Sequence, residues 1–260
     1  MGDISGVGSK ILKIPAEFSN DAVAEKVADI PFIGAPQSRT IYNLDTSTHN
    51  IDFSTHIRVP NDIIFNNAGD LLVSDSFQGA IFRIKKAATC GESCLVETVS
   101  HDSLLATPGF PSFGANGIAL NNDESELFIA NTGDDRILKL DLQGSEGISV
   151  FAESINGADG VAFDKQGNLW VTANQADKLI ALNSEGRVIA KLGDFLGMRN
   201  NGSVRGLLFP ASLEIVGNTI YVSNMAQVAT PAMGDEPEEK VTRYTLSKIW
   251  APLLLSGALF

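Results

Sequence analysis
Residues 115–132 read ANGIALNNDESELFIANT, and residues 158–174 read ADGVAFDKQGNLWVTAN. Each opens on a small residue and an Asn or Asp, runs through a short apolar stretch and turns on polar residues. It then returns through a β-branched and aromatic stretch to a polar cluster. Two short strands joined by a tight polar turn make a β-hairpin. The pattern recurs in PNDIIFNNAGDLLVSDS at 60–76 and in ASLEIVGNTIYVSNM at 211–225. A third apolar run follows each unit: AIFRI at 80–84, RILKL at 136–140, KLIAL at 178–182 and VTRYTL at 241–246. SKILKI at 9–14 has the same look. A looser fourth strand is expected after these, as in GISVFAES at 147–154 and GRVIAKLG at 186–193. No stretch keeps helical periodicity over three turns, so the chain reads as all-β.

Aligned on Asn61, Asn116, Asp159 and Ser212, the repeat returns after 55, 43 and 53 residues. Four antiparallel strands in about 45 residues make the blade of a β-propeller, whereas a parallel β-helix repeats in roughly half that length. The 260 residues then predict a six-bladed β-propeller, or five full blades plus an incomplete one. Clear repeats start near 60, 115, 158 and 211, and residues 1–59 form a degenerate or incomplete first blade. Residues 241–260 are expected to close the ring, with the apolar tail WAPLLLSGALF packed as a strand or at an interface. No low-complexity linker divides the chain, which predicts one domain over 1–260.

Hydrophobic residues at 44% and charged residues at 19% are globular values. Nineteen Lys+Arg against 31 Asp+Glu give a net charge of −12, which repels phosphate backbones and anionic membranes. Nucleic acid and membrane are therefore excluded as expected partners, a small molecule is favoured, and the oligomeric state is left open. The longest apolar stretch, 249–260, is shorter than the roughly 18–20 residues of a membrane span. The start, MGDISGVGSK, lacks the basic and apolar regions of a secretory signal. Cys90 and Cys94 are either two free thiols or a small-loop disulfide, for which Gly91 and Ser93 permit the tight turn. A bridge would favour a secreted or periplasmic location over a cytoplasmic one. His49, His56 and His101 show no zinc-ligand spacing.

In a propeller the innermost strand of each blade starts at one mouth of the central channel, so a sequence column becomes a ring in space. The first column holds Asn61, Asn116, Asp159 and Ser212. Amide and carboxylate oxygens converging on one axis are hard ligands suited to Ca²⁺ or Mg²⁺. Asp62, next to Asn61, is expected to face the other way by strand alternation. The second column is Asp75, Asn131, Asn174 or Ala173, and Asn224. It reads mainly as turn formers, with Asp75 and Asn131 kept as candidate substrate contacts. Loops 103–114 and 195–210 contribute Phe110, Phe113, Met198 and Arg205 as further candidates.

PNDIIF, ANGIALNNDESELFIANT and ADGVAFDKQGNLWVTAN resemble the senescence-marker-protein/gluconolactonase family, six-bladed propellers that include regucalcin and sugar lactone lactonases. The likeness covers roughly residues 58–225. It implies a divalent cation at the channel mouth, Ca²⁺ first with Mg²⁺, Mn²⁺ or Zn²⁺ as other candidates, and hydrolysis of lactones. It further implies that Asn61 and Asn116 match the two Asn ligands, and that Asp159 matches the Asp that binds metal and acts as base. The family's Glu at the start of the first blade has no counterpart here. Glu17 is the only early acid in a remotely comparable place and is not taken as a match, which leaves one formal negative charge among the implied ligands.

The expected activity is thus a metal-dependent lactonase-type hydrolase. Its rivals are a non-catalytic propeller that binds a protein or small ligand, and a strictosidine-synthase-like enzyme, for which Glu214 would be the channel acid. No G-x-S-x-G elbow, phosphate loop or Cys–His pairing competes with these.

Overall fold
Short apolar runs punctuated by Asn, Asp and Gly fold into antiparallel strands throughout. The computed structural model of the protein describes residues 9–91, 94–144, 146–228 and 236–251. Two pairs come first, β1 (Lys10–Lys13) with β2 (Glu25–Asp29) and β3 (Arg39–Tyr42) with β4 (Thr48–Ile51). Blade A follows as β5 (Pro60–Phe65), β6 (Leu71–Asp75), β7 (Ala80–Ile84) and β8 (Val96–His101). Blade B is β9 (Ala115–Leu120), β10 (Glu126–Asn131), β11 (Arg136–Asp141) and β12 (Ile148–Glu153). Blade C is β13 (Ala158–Phe163), β14 (Leu169–Ala173), β15 (Lys178–Leu182) and β16 (Val188–Leu192). The pair β17 (Phe195–Met198) and β18 (Val204–Gly206) precedes blade D, which is β19 (Pro210–Val216), β20 (Thr219–Asn224) and β21 (Thr245–Trp250).

Neighbours within each blade are consecutive and antiparallel, so the protein is an all-β propeller. Four blades form among the described residues, three of four strands and one of three. The six anticipated from length are not all seen as sheets. The segments on either side of these blades make only strand pairs, and β3 and β4 are exposed or half-exposed along their whole length. They carry too little apolar surface to be sandwiched between neighbours. No helix among the described residues is long and apolar enough to cross a membrane.

The second strand of each full blade explains the continuous apolar runs in the sequence. Leu127 and Ile129 face the core shared with blade A, while Phe128 and Ala130 face the core shared with blade C. Leu169 and Val171 turn to blade B and Trp170 to blade D. A strand buried on both faces reads as an unbroken hydrophobic stretch.

One expectation at the edges changes, and one of two alternatives is settled. The strand looked for at 241–246 lies at Thr245–Trp250, because a short 3₁₀ turn at Pro237–Lys240 runs into Val241, whose N–H donates to the Glu238 carbonyl. The rest of the apolar tail, 252–260, lies outside the described residues. Cys90 and Cys94 form a disulfide with their Cα atoms 5.3 Å apart, and Cys94 is buried against the core of blade A.

Candidate active and metal-binding site
The innermost strands β5, β9, β13 and β19 pack on one another in chain order. They come close because Gly117 and Gly160 follow Asn116 and Asp159. A Cβ on Gly160 would lie 2.7 Å from the Ala211 carbonyl oxygen, and one on Gly117 would overlap the Asp159 carbonyl. The strand starts therefore meet around a cavity of about 450 Å³, and Asn61, Asn116 and Asp159, from three blades, all border it.

The fourth member of the column is displaced. Pro210 pairs with Asn224 as Pro60 does with Asp75, Ala115 with Asn131 and Ala158 with Ala173. Ala211 is thus the counterpart of Asn61, Asn116 and Asp159. Ser212 belongs one place later, with Asp62, Gly117 and Gly160, though it still borders the cavity.

Asp62 also departs from expectation, since it faces the cavity beside Asn61. The pairing of β5 with β6 slips between Pro60 and Ile63, and such a bulge breaks the alternation that would have turned Asp62 away. Asp62 Oδ2 accepts from Ile118 N–H at 2.9 Å, bridging blade A to blade B, and Oδ1 accepts from Ile63 N–H at 2.8 Å. Burial raises its pKa, and these two N–H groups offset part of the rise.

Hydroxyls orient the two Asn amides. Ser76 Oγ donates to the Ala115 carbonyl at 2.6 Å, so its remaining role is to accept from Asn61 Nδ2 at 2.9 Å. Thr132 Oγ1 donates to the Ala158 carbonyl at 2.6 Å and accepts from Asn116 Nδ2 at 2.8 Å. A hydroxyl has one proton to give. With it committed to the next blade, each amide must present nitrogen to the hydroxyl, which leaves Oδ1 with no protein donor among the described residues.

Blade C reverses this arrangement. Asn174 stands where Ser76 and Thr132 stand, and its Nδ2 donates to Asp159 Oδ2 at 3.2 Å. Its Oδ1 is buried without a hydrogen-bond partner. Asp159 keeps one face on the cavity while protein surrounds the rest. That desolvation pushes its pKa up to about 7, opposed by the Asn174 amide, aided by the charge of Asp62 and opposed by Asn116.

The strand ends thus present carboxylates of Asp62 and Asp159 and amide oxygens of Asn61 and Asn116, and among the described residues none bordering the cavity is basic. This donor set is all oxygen, acidic and uncompensated, and it fits a hard divalent cation. Clusters of three or more His, Cys, Asp or Glu are absent among the described residues, so any such site depends on the Asn oxygens.

The opposite wall is apolar. Phe110, Pro111 and Phe113 of loop 103–114 border the cavity with Phe209 and Met225, and Phe113 rests on Phe77 with ring centroids 5.5 Å apart. Of the other loop candidates, Met198 and Arg205 do not border the cavity, and Arg205 points to solvent from β18. Asp75 and Asn131 do not border it either. Asp75 is fully buried and accepts from Val59, Phe77 and Gln78 N–H and from Gln78 Nε2. Asn131 donates to the Leu104 and Ala106 carbonyls and accepts from Asp134 N–H. Both have spent their polar atoms on holding loops. Glu17 and Glu214 are exposed and away from the cavity. The column reading turned Asp62 away and passed over Ser76 and Thr132, while Asn174 stood in its second column only as an alternative to Ala173, as a turn former. With Ala173 as the structural member of that column, Ser76, Thr132 and Asn174 each directly follow it and recur at the repeat spacing.

Residues 110–193 match the SMP-30/Gluconolactonase/LRE-like region. The chain is 26% identical over 173 residues to lactonase drp35 of Staphylococcus saprophyticus subsp. saprophyticus, a match covering 63% of this chain and 50% of that protein. It therefore spans half the length of this curated relative. Among solved structures it is similar to regucalcin, a calcium-binding protein of Agrobacterium tumefaciens, with a TM-score of 0.50 and 16% identity over 73% of this chain and 59% of that one. It is also similar to a protein of unknown function from Bacteroides caccae, with a TM-score of 0.52 and 16% identity over 88% and 83%. These likenesses bear out the resemblance read from the sequence, and the two structures share the propeller fold.

Proposed function
We propose that the protein is a metal-dependent hydrolase of lactones or related cyclic esters, built as one domain whose strand pairs β1–β4 and β17–β18 stand in for the remaining blades of a six-bladed ring. The observation that carries this reading is the gathering of Asn61, Asn116 and Asp159, with Asp62 beside them, on one cavity free of basic residues. Support also comes from the family match over 110–193, which includes Asn116 and Asp159, and from the likeness to a lactonase, drp35.

Asn61 and Asn116, through Oδ1, and Asp159, through its carboxylate, would hold the cation, with Asp62 adding charge. A hard divalent cation bound there, Ca²⁺ first and Mg²⁺, Mn²⁺ or Zn²⁺ as alternatives, would polarise the ester carbonyl. Asp159 takes a proton from the attacking water. It returns that proton to the ring oxygen as the acyl C–O bond breaks, giving a hydroxy acid. Asn174 holds the carboxylate in place through Oδ2. The apolar wall of loop 103–114 seats the rest of the substrate.

Hydrolysis of a panel of five- and six-membered lactones, followed by a pH indicator, tests the reading. At least one lactone is expected to be opened, with activity lost on adding a chelator and regained with Ca²⁺ or Mn²⁺. Activity indifferent to chelator, or no hydrolysis across the panel with cation present, would contradict it.

A further inference from the structure
We infer that the substrate is a lactone whose ring carries an apolar alkyl or aryl substituent, in preference to a polyhydroxylated or anionic one. This rests on the hydrolase reading and deepens it by naming what the same cavity selects.

The cavity has two unlike sides. On the strand-end side each Asn amide already spends a hydrogen on a neighbouring protein group, and Ser212 adds one hydroxyl. Asn61 and Asn116 give Nδ2 to Ser76 and Thr132, Asn174 gives Nδ2 to Asp159, and Thr132 gives its proton to Ala158. What that side offers in excess are oxygens, suited to a cation and the reacting carbonyl. A ring placed on that side must point its substituents at Phe110, Pro111, Phe113, Phe209 and Met225. Among the described residues, Ser112 and Gln227 offer polar side-chain atoms from the surrounding loops, and Ser212 from the start of β19. With no Lys or Arg on the cavity and two carboxylates present, an anionic substituent is disfavoured.

The apolar wall is built and held. Phe110 stays 59% exposed and Met225 46% exposed at the mouth, large apolar surface left in water that a ligand could cover. Thr107 Oγ1 donates to Asp134 Oδ1 at 2.6 Å, and Asp134 Oδ2 in turn accepts from Arg39 at 2.7 Å, in a largely buried pair. From blade C, Gln175 Nε2 donates to the Phe110 carbonyl at 3.3 Å. Gly133 lies so close beneath the loop that a Cβ there would sit 2.6 Å from the Pro111 carbonyl. A wall fixed before binding loses little order when a ligand arrives. About 450 Å³ leaves room for a ring and its substituent.

Three six-membered lactones that differ only in substituents test this: δ-valerolactone, δ-decalactone with its pentyl chain, and glucono-δ-lactone. Each methylene buried against the wall is worth about fourfold, and an apolar pocket rejects an added hydroxyl by about 10²-fold. The value of kcat/KM for δ-decalactone is expected to exceed that for glucono-δ-lactone by about 10²-fold or more. Phe110→Ser with Phe113→Ser should reduce the δ-decalactone advantage at least tenfold, by the same per-methylene reckoning. A binding arm by calorimetry uses the matching lactams, which cannot be opened the same way: the pentyl-substituted lactam is expected to bind at least about 30-fold more tightly than the unsubstituted one. Glucono-δ-lactone hydrolysed as well as δ-decalactone, or lactams bound equally or not at all, overturns the inference. Pentyl-lactam preference without any lactone hydrolysis would instead refute the hydrolase reading and leave the apolar preference standing.

Discussion

Asp159→Asn is expected to lower kcat/KM for lactone hydrolysis by about 10³-fold or more, without loss of fold. The two side chains are nearly isosteric, and the new amide oxygen can still accept from Asn174 Nδ2, which now donates to Asp159 at 3.2 Å. Burial already disfavours the ionised carboxylate, as its pKa of about 7 records. A neutral amide therefore removes a penalty, and the midpoint of thermal unfolding without added cation should hold or rise. The response to cation should disappear. For the unmodified protein, a divalent ion at about 100 times its Kd adds roughly 2.7 kcal/mol, or about 5–10 °C for a chain of this size. In the variant, one of the two carboxylates that draw the cation is gone. Calorimetry of both proteins with and without Ca²⁺ checks this, alongside lactone kinetics. A fall in kcat/KM of less than about tenfold would remove Asp159 from the role of base.

Asp75→Ala is expected to cost about 4 kcal/mol of stability, and to act through the fold and not through substrate. The carboxyl group is fully buried and accepts three backbone N–H groups, from Val59, Phe77 and Gln78, besides Gln78 Nε2. Each buried donor left without a partner costs about 1–3 kcal/mol. Gln78 in turn accepts from Ile33 N–H and donates to the Pro31 carbonyl, so the loss spreads to the segment that leads into β3. The thermal midpoint should fall by roughly 8–16 °C. For whatever fraction stays folded, KM should be unchanged, because Asp75 does not border the cavity. A raised KM at an unchanged midpoint would restore Asp75 as a substrate contact.

Much of this is legible in the repeat. The hairpins at 60–76, 115–131 and 158–173 follow from apolar alternation and from turns such as NNAGD and DKQGN, where Gly69 and Gly167 take positive φ. The ring of Asn61, Asn116 and Asp159 follows from the register of those hairpins. Where the expectations failed, local backbone geometry outweighed pattern. A bulge turns Asp62 onto the cavity. In blade D the Asn-Gly or Asp-Gly pair is replaced by Ala211–Ser212, and nothing in the text of the sequence distinguishes a ring residue from its neighbour there. Asp75 and Asn131 recur at the repeat spacing because each caps a loop, a reason as periodic as a functional one. The partners that orient the site residues, Ser76, Thr132 and Asn174, pair with them across 15 or 16 positions. They become visible only when the pairing of the two strands is known. Blade number was inferred from length, and length does not reveal that 9–51 and 195–206 form two-stranded pairs, the one at 39–51 exposed or half-exposed throughout.

Diffraction from crystals soaked in Mn²⁺, with data collected for anomalous scattering, tests the central proposal most directly. A single strong peak is expected within about 2.0–2.6 Å of Asn61 Oδ1, Asn116 Oδ1 and an Asp159 carboxylate oxygen. A cavity without a peak at a Mn²⁺ concentration that saturates any response in activity, or a peak held elsewhere on the molecule, would contradict it.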